Sequence, residues 1–231
     1  MENPQSVGII LDGNRRFAKR LMLKPWEGHK LGANKIRNLL KWCKDTGVKE
    51  LTLFTFSLDN FDRPSKEFNY LMTLFEREFK DILADPQLYK EQIKIDFIGK
   101  INLFPQGVID SMKSLMEKTK DHKGIMVHFA MAYGGRAEIV DAARTIVSDV
   151  QAGKLQPQEI NEALFEHYLY MRTTPDMIIR TGGEKRTSGF LLWQGEYSEL
   201  FFVDKLWPEF EKEDFLKCIE EYKTRERRFG R

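Results

Sequence analysis

Chemistry in this sequence concentrates in four short polar segments, each with an arginine and three with a glycine: Asp12-Gly-Asn-Arg-Arg16, Ser57-Leu-Asp-Asn-Phe-Asp-Arg-Pro64, Tyr133-Gly-Gly-Arg136 and Arg180-Thr-Gly-Gly-Glu-Lys-Arg186. Guanidinium groups fork onto phosphate oxygens, glycine loops let backbone N–H groups approach an anion, and a carboxylate holds Mg²⁺. Together they suit an anionic ligand carried with a metal, whereas any one alone reads as a turn. Asp12 precedes Gly13 and Asn14, a natural anchor for Mg²⁺ or phosphate; a helix N-cap is its other reading. Phosphatases with an aspartyl nucleophile need a second Asp two positions later, and Asn14 stands there, which disfavours covalent phosphoryl transfer. Arg180 and Arg186 flank a Gly-Gly pair, a spacing that wraps a diphosphate from two sides, with Ser188 adding a hydroxyl. The apolar sequence that follows, Phe190-Leu-Leu-Trp193 with Tyr197, Leu200, Phe201 and Phe202, suits a substrate with a charged head and a greasy tail. Core packing or a dimer face would use the same residues.

Apolar runs must position these segments. Val7–Leu11, Leu51–Phe56, Ile93–Ile98, Ile125–Met131 and Met177–Ile179 read as buried strands. Helical stripes run through Ala33–Cys43, Glu67–Leu83, Val108–Met116, Ala137–Val150 and Phe215–Tyr222. This alternation predicts an α/β fold with a mostly parallel central sheet flanked by helices, and places the strand-end loops on one ligand-binding edge. The 231 residues, without repeat or linker, are expected to form one domain, and 42% apolar content supports a real core. A net charge of +2 supplies no general reason to expect nucleic acid. No apolar run approaches the roughly 20 residues of a membrane span. The start Met-Glu-Asn-Pro-Gln-Ser lacks the features of a signal peptide, and Cys43 and Cys218 sit in helical patterns, so a reduced cytoplasmic chain is expected. His29, His122, His128 and His167 show no zinc spacing.

Further motifs carry a resemblance: Ile9-Ile-Leu-Asp-Gly-Asn14 with Arg16, Gly28-His29-Lys30, Thr55-Phe-Ser57 with Asn60 and Arg63-Pro64, Ile179-Arg-Thr-Gly-Gly-Glu184, Phe190-Leu-Leu-Trp-Gln194, Glu199-Leu200, Leu206-Trp-Pro208 and Arg225-Glu-Arg-Arg-Phe-Gly230. In this order along the chain, they resemble the cis-prenyltransferases, the family of undecaprenyl and dehydrodolichyl diphosphate synthases. The resemblance implies condensation of isopentenyl diphosphate onto an allylic prenyl diphosphate with Mg²⁺, in a homodimer. It implies that Asp12 binds the metal, with Glu199 in support, and that Gly13, Asn14, Arg16 and His29 hold the allylic diphosphate. Ser57, Phe61 and Arg63 fall in its substrate-binding segment, where Asn60 positions the acceptor or relays its proton. Arg180, Arg186 and Ser188 match the isopentenyl diphosphate pocket. Phe75 and Phe79, on the stripe after Arg63-Pro64, are expected to line a hydrophobic tunnel between sheet and helices. The tail Arg228-Phe229-Gly230 resembles a motif reaching across a dimer interface that Phe202 and Trp207 would pack. Contact of the basic run Lys223–Arg231 with an anionic membrane is another reading.

The chain also departs from the pattern. Arg15 and Phe17 stand where the family usually has Gly and Trp, Lys185 replaces a common histidine, and a loop arginine is missing beside Lys24. Lys24 or Arg15 is expected to supply that lost charge, although an ammonium does not reproduce bidentate contacts. These departures leave open transfer to another acceptor, short products, or a non-catalytic partner subunit.

Overall fold

The strand β1 (Ser6–Ile10) is buried along its whole length and so needs cover on both faces. In the computed structural model, which describes residues 2–225, it lies inside a six-stranded sheet. Its companions are β2 (Glu50–Ser57), β3 (Lys94–Ile98), β4 (Met126–Tyr133), β5 (Met177–Arg180) and β6 (Glu199–Phe202), in the order β3-β4-β2-β1-β5-β6. Every pairing is parallel, and Ile10 registers with Phe54 on one side and Arg180 on the other.

The connecting helices are α1 (Asn14–Arg20), α2 (Gly28–Thr46), α3 (Ser65–Ala84), α4 (Pro86–Lys90), α5 (Gln106–Thr119), α6 (Gly135–Gln151), α7 (Glu162–Tyr168) and α8 (Lys212–Thr224). Period-two alternation divides the strand side chains between two cores. Ile9, Leu51, Leu53, Val127 and Phe129 join Leu39 and Trp42 of α2, Phe75 and Phe79 of α3, Met112 of α5 and Phe215 of α8. Ile10, Ala130, Tyr133 and Ile178 face a smaller core with Phe190 and Leu191. On that side Glu138 of α6 accepts hydrogen bonds from Tyr133, Gln194 and the Tyr170 backbone. Among the described residues no helix is long and apolar enough to cross a membrane.

The expected strands appear with ends shifted by a residue or two; β6, α1, α4 and α7 are additions. Phe190 and Leu191 were read as suiting a greasy substrate tail or as core, and the structure makes them core. Trp207, expected at a dimer interface, is 1% exposed, stacks on Phe210 and donates its indole N–H to Gly32 O at 2.9 Å. It pins the sheet edge to α2 instead. Phe202, on the edge strand β6, is 37% exposed. The tail motif Arg228-Phe229-Gly230 lies outside the described residues.

Candidate active site

Asp12 leaves the carboxyl end of β1 through Gly13, whose φ of 113° and contact with Leu206 leave no room for a side chain. One strand over, Arg180 ends β5 in register with Ile10. Arg180 is only 6% exposed, and its Nη2 lies 2.8 Å from Asp12 Oδ2. Its Nη1 donates to Ser188 Oγ at 2.8 Å and to the Arg186 carbonyl at 2.6 Å. Ser188 sits at φ 52°, a left-handed geometry unusual for serine, followed by Gly189 at 78°. Gly135 N–H holds that turn through the Gly189 carbonyl at 2.9 Å. The Tyr133–Arg136 segment thus braces the serine loop, and Arg136 is exposed. Arg16, one turn into α1, reaches Asp12 Oδ1 at 3.2 Å.

A second cationic cluster adjoins this pair. Arg63 donates to the 2%-exposed Glu67 at 2.7 Å and meets His29 Nε2 at 3.2 Å, while Arg15 approaches Glu67 at 3.5 Å. Burial, then Arg63 and Arg15, push the His29 pKa down to about 3, so the ring is neutral at working pH. Asn60 caps a 3₁₀ turn by accepting from the Ser57 N–H at 3.1 Å. Asn14 packs against α2 so closely that a Cβ on Gly28 would fall 2.0 Å from its carbonyl oxygen. Its side chain donates to Leu11 O, yet its Oδ1 is buried without a partner, as is Arg180 Nε. Unpaired polar atoms of this kind usually await a ligand or water.

Below these groups lies a cavity of about 1190 Å³ between the sheet and helices α2 and α3. Asp12, Asn14, His29, Asn60, Arg63 and Ser188 line its charged end; Ile36, Leu74, Phe75, Phe79 and Phe129 line its apolar length, which continues to Lys49 and Gly124 at the opposite sheet edge. The structure therefore gathers most of the expected residues, but not all. Phe61 packs with Phe56, Phe68 and Phe104 instead of lining the cavity. Phe17 is half-buried and also outside the wall. Lys24 reaches the Trp26 ring at 5.9 Å, whereas Arg15 lines a pocket beside Asp12 with Arg16 and Arg63. The Arg186 guanidinium pairs with Glu184 and is largely exposed. Glu199 registers with Met177 at the amino end of the strands and pairs with Arg225 at 2.7 Å, so within one chain it does not join Asp12. Glu67, which gathers the cations, was not anticipated from sequence.

A charged seat opening into apolar depth defines a class: enzymes that handle amphiphiles with a phosphorylated head. A family model described as "Putative undecaprenyl diphosphate synthase" matches residues 10–230. The chain belongs to that family and is a prenyltransferase of the polyprenyl diphosphate synthase type. It is 47% identical over 230 residues to the tritrans,polycis-undecaprenyl-diphosphate synthase (geranylgeranyl-diphosphate specific) of Methanopyrus kandleri, covering 99% of this chain and 85% of that protein. It is 45% identical to an isoprenyl transferase of Thermus thermophilus, covering 99% and 89%. Among solved structures, lavandulyl diphosphate synthase from Lavandula x intermedia, in complex with dimethylallyl diphosphate, superposes with a TM-score of 0.92 at 34% identity over 99% of each chain. A probable undecaprenyl diphosphate synthase from Campylobacter jejuni gives 0.84 at 29% identity over 100% of each chain.

Proposed function

We propose that this chain condenses isopentenyl diphosphate onto an allylic prenyl diphosphate with Mg²⁺, building a cis-polyprenyl diphosphate in repeated steps. The observation that carries this reading is the Asp12–Arg180–Ser188 chain at the mouth of the long apolar cavity. The name of the Methanopyrus kandleri relative suggests geranylgeranyl diphosphate as the primer.

The donor set suits Mg²⁺. Among the described residues no group of three or more His, Cys, Asp or Glu could hold an ion alone. Mg²⁺ binds one or two carboxylates, keeps its waters and shares substrate phosphates, so Asp12 is the residue to hold it. When bound, the ion neutralises charge on the departing diphosphate. Arg16, Arg15 and Arg63 clamp the allylic diphosphate, and neutral His29 serves as a hydrogen-bonding partner that adds no charge. Arg180 and Ser188 hold the acceptor diphosphate. Asn60, its carbonyl end held by Ser57, presents its amide to the acceptor and orients it for attack. The growing hydrocarbon runs past Phe75 and Phe79. The family reading also implies a homodimer.

Purified protein given labelled isopentenyl diphosphate, Mg²⁺ and primers of increasing length is expected to make longer prenyl diphosphates, with geranylgeranyl diphosphate preferred. Release of inorganic phosphate without chain extension from any primer would overturn the reading.

A further inference from the structure

Helix α1 ends in a Schellman turn: Leu23 N–H donates to Ala18 O at 3.0 Å and Met22 N–H to Lys19 O at 3.1 Å. The residue at the left-handed position of such a turn is normally glycine, and here it is Met22 at φ 57°. A long side chain there strains the backbone, and packing does not compensate, because Met22 is 95% exposed. Leu21 and Leu23 beside it are 49% and 41% exposed. Three consecutive large apolar side chains thus stand out from a turn fixed by hydrogen bonds. Exposed Lys19, Arg20 and Lys24 flank them along the chain. The acidic groups nearby are engaged, Glu209 with Arg20 and Glu27 with the Lys24 backbone. Lys19, three residues before Met22, lines the diphosphate pocket with Asp12 and Arg63.

We propose that Leu21, Met22 and Leu23 dock the enzyme on an anionic lipid bilayer, with the diphosphate mouth beside the membrane surface. The chemistry of the patch selects this partner: apolar tips enter the acyl boundary while the flanking Lys19 and Lys24 meet anionic headgroups. The purpose rests on the polyprenyl diphosphate reading, since such a product is itself a membrane lipid; the docking is tested without it.

The full chain is sedimented with vesicles of phosphatidylglycerol and phosphatidylcholine, and with vesicles of phosphatidylcholine alone. Binding is expected to the anionic vesicles, to weaken with salt, and to fall about tenfold or more in Leu21→Ser/Met22→Gly/Leu23→Ser. Met22→Gly alone is the sharper probe, because it is expected to raise Tm while weakening vesicle binding. Wild-type protein that stays in the supernatant overturns the proposal, as does unchanged partitioning of the variants. So does a lower Tm for Met22→Gly, or a change in the variants' sedimentation without lipid, which assigns the turn to a protein contact. Prenyl transfer in lipid-free solution is expected to match wild type in both variants; its absence in wild type too refutes the enzymatic reading separately.

Discussion

Two arginines, Arg15 and Arg63, and the neutral His29 ring converge on one buried carboxylate, Glu67. Without that charge the cluster would repel itself whenever no diphosphate is present. Glu67→Gln keeps the shape and removes the charge, so it is expected to cost about 2 kcal/mol, or roughly 4–8 °C in Tm, with inorganic pyrophosphate restoring more stability than in wild type. A scanning calorimetry series checks this, and an unchanged Tm refutes it. Asp12→Asn is expected to lower kcat about 10²- to 10³-fold and to lower Tm by a few degrees, because the amide still accepts from Arg180 but no longer balances its charge. Far from the site, His128 lies between Glu50 at 2.8 Å and Asp96 at 3.3 Å. Burial alone would lower its pKa, but the two carboxylates outweigh burial and push it up to about 9. A folded pKa above the unfolded value of about 6.5 stabilises the fold fully below pH 6.5, and that stability is lost as pH rises through about 9. Tm is expected to fall by several degrees between pH 7 and 10, and His128→Gln to flatten this slope.

At the scale of elements, the site depends on how closely α1 is pressed onto α2. A Cβ at Gly32 would lie 2.2 Å from Asn14 Oδ1 and 2.8 Å from Trp207 Cδ1. Gly32→Ala is therefore expected to push α1 outward, costing about 1–3 kcal/mol and raising the primer KM, measured together by melting and kinetics. Along α3, Phe75→Leu is expected to alter the product-length distribution; an unchanged distribution would mean that hydrocarbon does not pass Phe75. The strands were readable because β1, β2 and β4 are short segments rich in apolar residues, broken in their interiors only by Gly8, Thr52, Thr55 and His128. Strand β6 escaped because it has four residues and begins with Glu199. Helix α1, Asn-Arg-Arg-Phe-Ala-Lys-Arg, is too short and polar to show a stripe. The strand-end motifs marked Asp12, Arg63 and Arg180 because their chemistry is local. Glu67 was hidden because its importance arises only when α1 and α2 bring Arg15 and His29 to it. Arg186 and Lys24 show what spacing leaves out: Arg186 pairs with Glu184 and Lys24 lies over the Trp26 ring, partners that depend on how the loops fold.

For the molecule as a whole, the larger core encloses both thiols. Cys43 and Cys218 are buried and free, and burial raises both pKa values, that of Cys218 to about 12. Thiolate is then scarce, and a disulfide reagent is expected to find no fast-reacting thiol in the native protein and both after denaturation. Rapid reaction without unfolding would show that the α2–α8 region opens locally. The sheet order has another consequence, felt during translation. β1 borders β2 on one side, but its other neighbour is β5. The Asp12–Arg180 bond spans 168 residues, roughly ten to thirty seconds of ribosomal elongation at about 5–20 residues per second. Until then the nascent polypeptide displays an open strand edge at what will become the middle of the sheet, a sticky template that chaperones would shield. On the proposed reading catalytic competence is therefore a late event in biosynthesis, because no ribosome-bound fragment ending before β5 contains Arg180.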